Sequence, residues 1–166
     1  LGSSAKPSRW CWAGCPSASL CSMKGTVDSV RIFFDSSAFA KRYVREVGTD
    51  EVLSLCQQAT ELCLSAIAIS ELAAVFCRLQ REGHINATQY RKLKENVLLD
   101  IADAAVCDLT PTVMRHAVLS LEQNVLRAMD AMHIGAALAL QVDRFVTADT
   151  RQSIAAKKMG LQVIHV

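Results

Sequence analysis

From Arg31 to Val166 short apolar runs alternate with amphipathic stretches, the pattern of strands separated by helices. Ile32, Phe33 and Phe34 form a run that is β-favouring, uncharged and too short for a helix, as expected for a strand covered on both faces. Asp35 ends it. Ser36 and Ser37 are then placed to cap a helix that carries Phe39, Tyr43 and Val47 and closes at Gly48. A second helix is expected from Asp50, with Val52, Leu55 and Cys56 on one face. Residues 62–67 read as the next strand, and Ser70 is a good cap for a helix bearing Leu72, Val75, Phe76 and Leu79 that stops at Gly83. Residues 87–99 form another amphipathic helix with lysine and arginine on its outer face.

Residues 104–109 read as a third strand. Thr110 and Pro111 are a strong helix start, since proline at the first helical position gives up no intrahelical bond. That helix ends before Val125, and Asp130 opens the next, which runs through Ile134, Ala137, Leu138 and Val142. Residues 144–147 make a fourth strand. Asp149 follows, then a helix to Lys158, a stop at Gly160 and a last strand over residues 162–166. Strands alternating with helices predict a single-domain, three-layer α/β fold, helices covering both faces of a mostly parallel sheet. Ligands in such folds bind beyond the carboxyl ends of the strands.

Composition narrows this only modestly. A chain of 166 residues with 51% hydrophobic content is long and apolar enough for one packed domain. No uncharged apolar stretch reaches the ~18 residues of a spanning helix, so no membrane association is expected. A net charge of +2 neither requires nor excludes a nucleic-acid substrate. Seven cysteines without a paired C-x-x-C spacing suit a reducing, cytoplasmic setting, and the irregular Cys11, Cys15 and Cys21 do not form a zinc motif. Residues 1–29 have neither helical nor strand period and are set apart as an irregular leader, with residues 30–166 as the domain. Met23, just before the first strand, is the expected natural start. A targeting segment is the alternative, weakened by the lack of a continuous apolar stretch of about 7–15 residues.

Asp35, Glu71, Asp130 and Asp149 are the candidate chemistry. Each has an ordinary explanation as a helix cap or as a complement to a helix dipole. Together they stand where strands end or helices begin, so the topology directs all four to one edge of the sheet. Convergent carboxylates raise one another's proton affinity unless a cation compensates. Mg²⁺ or Mn²⁺, which favour oxygen ligands and phosphate-bearing substrates, are the natural partners, and phosphodiester hydrolysis is the implied chemistry. The chain contains no Gly-rich phosphate loop or serine nucleophile elbow, and it lacks the acidic pair and late lysine of a phosphorelay receiver.

At these positions the chain resembles the PIN-domain family, and most closely its VapC-type ribonuclease toxins. The resemblance covers residues 31–166 and rests on four ordered motifs: Phe33 to Ser37 continuing into Ala38, Phe39, Ala40 and Lys41; Ser65 and Ala66 leading to Ser70, Glu71 and Leu72; Leu126 to His133; and Val146 to Asp149. Met129 and Met132 stand where leucine is commoner, and no carboxylate is missing.

The resemblance implies a PIN-like α/β/α fold and metal-dependent endonucleolytic cleavage of RNA. Asp35, Asp130 and Asp149 would be the main ligands of Mg²⁺ or Mn²⁺, and Glu71 would assist directly or through water. Ser36 and Thr147 would orient water or phosphate. It also implies a small VapB-like antitoxin partner and a homodimer. The alternative is a non-catalytic PIN-fold binding module acting through partner association. His133, three residues after Asp130, reads as a packing or hydrogen-bonded residue because hard cations prefer oxygen. Lys41, Arg42, Arg45, Arg78 and Arg81 suit either phosphate or antitoxin contacts or solvated helix faces, and Phe39, Tyr43 and Phe76 are expected to fill the core or a dimer and antitoxin groove rather than stack on bases.

Overall fold

The computed structural model describes residues 29–166. The leader, the Met23 start and the three early cysteines therefore lie outside the described residues, apart from Ser29. Five parallel strands form one sheet in the order β3-β2-β1-β4-β5, where β1 is Arg31–Phe34, β2 Glu61–Ser65, β3 Ala105–Cys107, β4 Arg144–Thr147 and β5 Val163–His165. The period-2 geometry of a strand splits the core into two layers. Ile32, Phe34, Leu62, Leu64 and Val146 pack under α1 (Ser36–Ala40), α2 (Thr49–Gln58), α3 (Ile67–Arg81) and α4 (Ala87–Asp103). Phe33, Cys63 and Phe145 face the opposite way, toward α5 (Pro111–Gln123), α6 (Ala128–Leu140) and α7 (Thr150–Lys158). Phe33 and Phe145 are register partners, and their rings stack at 5.5 Å between centroids.

Several predicted boundaries hold. Thr110 caps α5 with Pro111 in its first turn, and Gly83 and Gly160 adopt φ of 77° and 90° just past the ends of α3 and α7. Three expectations fail for local reasons. The first helix is not capped by Ser36 or Ser37 and does not run to Gly48: Asp35 is its N-cap, and after Ala40 the backbone tightens into i→i−3 bonds. Lys41 is buried and donates from Nζ to the carbonyls of Val47 and Val166 at 2.6 and 3.2 Å, while Gly48, at φ 90°, starts α2 instead of ending α1. Val47 is 90% exposed.

Ser70 does not cap α3. The Ala66 N–H still pairs with the Cys107 carbonyl at 2.9 Å, and the chain turns directly from sheet to helix, so α3 begins at Ile67. Likewise α6 begins at Ala128, two residues before Asp130, and ends at Gln141, which adopts the left-handed conformation with φ 53°.

Two of the cations suggested for external contacts are used internally. Lys41 holds the turn described above. The Arg42 guanidinium makes two bonds to Asp100, at 2.6 and 3.1 Å, and the Tyr43 hydroxyl donates to the same carboxylate at 2.5 Å, tying α4 to the chain after α1. Phe39 and Phe76 are core, as expected, with Tyr43 wedged between them edge to face.

Candidate active site at the sheet switch point

From β1 the chain winds outward to β2 and β3, then returns across the sheet to place β4 and β5 on the other side of β1. The crevice at the carboxyl ends of β1 and β4 is therefore the switch point where doubly wound sheets bind ligands. Phe34 pairs with Val146, and the Asp35 N–H extends the ladder to the Val146 carbonyl at 3.0 Å. That register sets Asp35 against Thr147.

Asp35 is 3% exposed. Its carboxylate accepts the Ala38 N–H at 2.8 Å, the Ser37 hydroxyl at 2.9 and 2.8 Å, and the Thr147 hydroxyl at 2.8 Å. Burial pushes its pKa above the usual carboxylate range, against the charge of His133 and the hydrogen bonds from Ala38, Thr147 and Ser37. The Thr147 hydroxyl also lies 2.7 Å from Gln152 Oε1 while accepting the Asp149 N–H. One hydroxyl hydrogen cannot serve both, so Asp35 and Gln152 compete for it.

Asp149 caps α7, accepting the N–H groups of Arg151 and Gln152 at 2.7 and 3.0 Å. Gln152 is fully buried, and its Nε2 donates to the Asp130 carbonyl at 3.2 Å, tying the start of α6 to that of α7. Asp130 is the third residue of α6, and its side chain reaches back toward the Arg127 N–H at 3.4 Å. Burial raises its pKa, the Arg127 N–H opposes this, and the negative charge of Asp149 adds to the rise. These two carboxylates sense one another.

Glu71 lies in the second turn of α3 rather than opening it. Its Oε2 receives the Ser36 hydroxyl and stands 2.7 Å from His133 Nε2, which is also 3.2 Å from the Ser36 oxygen. Burial pushes its pKa up, but the hydrogen bonds from His133 and Ser36 outweigh that and leave it lowered. His133 is 2% exposed and packs edge-on against Phe33.

The structure thus links the predicted residues through two chains of contact: Asp35–Thr147–Gln152–Asp130 with Asp149, and Ser36–Glu71–His133. Among the described residues no three carboxylate, imidazole or thiol side chains stand close enough to form a ready cation cage. His133, expected from its i+3 spacing to Asp130 to be a packing or hydrogen-bonded residue, is both, while the sequence pattern does not mark Gln152 as a site residue. Gln152, three residues after an N-cap Asp, carries a capping-box pattern, but its amide bridges Thr147 and Asp130 instead of returning to the cap.

The family model of the PIN domain matches residues 32–158. The chain belongs to the PIN-domain family. Ribonuclease VapC45 and Ribonuclease VapC49, both of Mycobacterium tuberculosis, are each 27% identical to it over 134 residues, covering 80% of this chain and 93% of theirs. The crystal structure of FitAcB from Neisseria gonorrhoeae superposes with TM-score 0.62 at 16% identity, covering 81% of this chain and 96% of that one. The structure of Mycobacterium tuberculosis VapC20, described as a sarcin-ricin loop cleaving toxin, has TM-score 0.58 at 15% identity, covering 75% and 94%. At such identities these structures speak to the fold, and the fold is shared.

The donor chemistry suits a hard dication. The available groups are carboxylate and hydroxyl oxygens, and burial pushes two of the acids toward protonation, a shift that a nearby cation would oppose. Mg²⁺ generally binds through one or two carboxylates, several waters and substrate phosphate rather than through an all-protein cage, so the absence of a three-ligand set among the described residues is compatible with it.

Proposed function

We propose that this protein is a Mg²⁺- or Mn²⁺-dependent endoribonuclease, the toxin component of a VapBC-type toxin-antitoxin module, acting in the cytoplasm on RNA phosphodiester bonds. One observation carries the reading: at the switch point of a PIN-domain chain whose relatives are ribonucleases, the buried Asp35 is linked through Thr147 and Gln152 to the first turn of α6, where the charge of Asp149 acts on Asp130. Asp35, Asp130 and Asp149 would hold the cation, with Glu71 assisting directly or through water. When bound, Mg²⁺ or Mn²⁺ supplies positive charge against the phosphoryl oxygens and acidifies water for in-line attack. The chain's own contribution is placement. Thr147 orients Asp35, Gln152 holds the first turn of α6 that carries Asp130, and Ser36 orients Glu71; the hydroxyls of Ser36 and Thr147 act on water or phosphate through the acids they hold. Because Asp35 and Asp130 favour the proton, cation binding releases protons and strengthens as pH rises. A VapB-like antitoxin and a homodimer are the partners this reading implies.

The second reading, a non-catalytic PIN-fold binding module, draws on the protein donors that already engage each carboxylate. Incubating the purified protein with a total RNA pool in Mn²⁺, in Mg²⁺ and in EDTA separates the two. Discrete cleavage ends in either metal and none in EDTA are expected. An intact pool in both metals, with the protein folded by circular dichroism, favours the binding module.

A further inference from the structure

We propose that His133 is a positioning residue that locks Glu71 and Ser36 into one unit and presents the remaining Glu71 oxygen to the metal site. The inference rests on the reading of these acids as a dication site. Both contacts of Glu71 fall on Oε2: the Ser36 hydroxyl donates to it and His133 Nε2 stands 2.7 Å away. Among the described residues Oε1 has no protein donor. One oxygen is anchored and the other is left for water or a cation.

The imidazole itself has little freedom. It is 2% exposed, its ring meets Phe33 edge-on with centroids 6.1 Å apart, and Nδ1 is buried without a hydrogen-bond partner. A carboxylate beside Nε2 requires the hydrogen there, so the geometry points to a protonated Nε2. A buried imidazole kept for packing alone would be better replaced by an apolar ring, which leaves no polar atom orphaned. Its donor is directed at the acid that lies on a separate helix from the other three. Glu71 stands on α3, while Asp130 and His133 share α6 at i, i+3 spacing, so this hydrogen bond couples the Glu71 orientation to the helix that carries Asp130.

The test uses the whole chain and reads Mn²⁺ affinity by calorimetry, RNA cleavage, and imidazole nitrogen shifts by NMR. His133→Leu keeps approximate volume but removes the donor, and it should weaken Mn²⁺ binding by about 10–100-fold, the usual cost of losing a residue that orients a ligand. His133→Gln, whose Nε2 reaches about as far as the imidazole Nε2, should restore most of that affinity. In a Glu71→Gln background His133→Leu should add almost nothing, because the two act as one unit. Equal losses in the Leu and Gln variants, or an undiminished loss in the Glu71→Gln background, would show a packing role and overturn the proposal. The wild-type nitrogen shifts decide without any variant: a protonated Nε2 is expected, and a protonated Nδ1 with bare Nε2 overturns it. If wild type binds no Mn²⁺, the metal reading fails, while the nitrogen shifts still decide the hydrogen bond.

Discussion

The site has two halves built by different means. Asp35, Thr147 and Asp149 sit at or just past strand ends, where sheet register and the α7 cap hold them. Glu71, Asp130 and His133 stand on α3 and α6, and their placement depends on where each helix begins and how it packs. Two of their acids, Asp35 and Glu71, also differ electrically. In the strand-borne half, burial pushes the Asp35 carboxyl toward its neutral form against the donors that reach it. On the helix-borne side, His133 and Ser36 keep Glu71 ionised. On the proposed metal reading a cation would act first on Asp35, whereas Glu71 already has partners of its own.

The strongest test of that contrast removes charge from the strand-borne half. Asp35→Asn should abolish cleavage, a loss of about 4 kcal/mol of transition-state stabilisation or roughly a thousandfold in rate. The fold should persist, because Asn caps a helix as well as Asp and its amide can donate to Thr147, freeing that hydroxyl for Gln152. Loss of folding alongside activity would mean that Asp35 is structural first.

The helix-borne half is more exposed to packing errors. A Cβ added at Gly135 would lie 2.5 Å from the Val113 carbonyl oxygen and 3.0 Å from the Ala117 nitrogen, backbone atoms of α5 that cannot rotate away. Gly135→Ala should lower stability by about 1–3 kcal/mol in urea denaturation. It should also shift Asp130 and His133 relative to Asp35, so cleavage should fall further than the unfolded fraction explains. A loss of stability with unchanged specific activity would show that α6 tolerates displacement.

The pH dependence of stability in EDTA should differ in sign between Asp35 and Glu71. The raised Asp35 pKa means that the folded state holds that proton more tightly, so ionisation removes stability as pH climbs from the unfolded value of about 3.9 through the folded one. Asp35→Asn should therefore match or exceed wild type in stability at neutral pH, an advantage that vanishes in acid. The lowered Glu71 pKa works oppositely: its stabilisation is present above the unfolded value of about 4.3 and disappears as pH falls through the folded one. Glu71→Gln should be less stable than wild type at neutral pH, with the deficit closing in acid. Parallel pH profiles for the two variants would erase the distinction.

These halves were unequally legible in the sequence. Ile32 to Phe34 and Arg144 to Thr147 announce buried parallel strands, and an acid or hydroxyl at their ends follows from alternation alone. The sheet order and the switch point then give those residues a common address. Helix starts were harder to place. Ser70 and Asp130 look like caps by residue type, but tertiary contacts decide: the Ala66 link to Cys107 starts α3 early, and Arg127 precedes α6 without a side-chain cap. Gln152 and the partner of His133 were obscured for a related reason, since a buried polar side chain is defined by its partners, and those lie far away in sequence.

The smallest expected effect isolates one such helix start. If α3 began at Glu71 with Ser70 as its cap, Ser70→Ala would cost about 1 kcal/mol. In the structure Ser70 is exposed within the helix, and its hydroxyl donates to the Ile67 carbonyl at 2.9 Å, a local bond that offers little to helix stability. Alanine, the better helix former, should then leave the protein unchanged or more stable by up to about 0.5 kcal/mol. Cleavage should not change, because Glu71 in the second turn leans back toward the start of α3, where Ser36 meets it, whatever residue precedes it. A loss near 1 kcal/mol in urea denaturation, accompanied by weaker cleavage, would move the start of α3 to Glu71 and place that carboxylate in a first turn, free of the geometry that His133 and Ser36 impose.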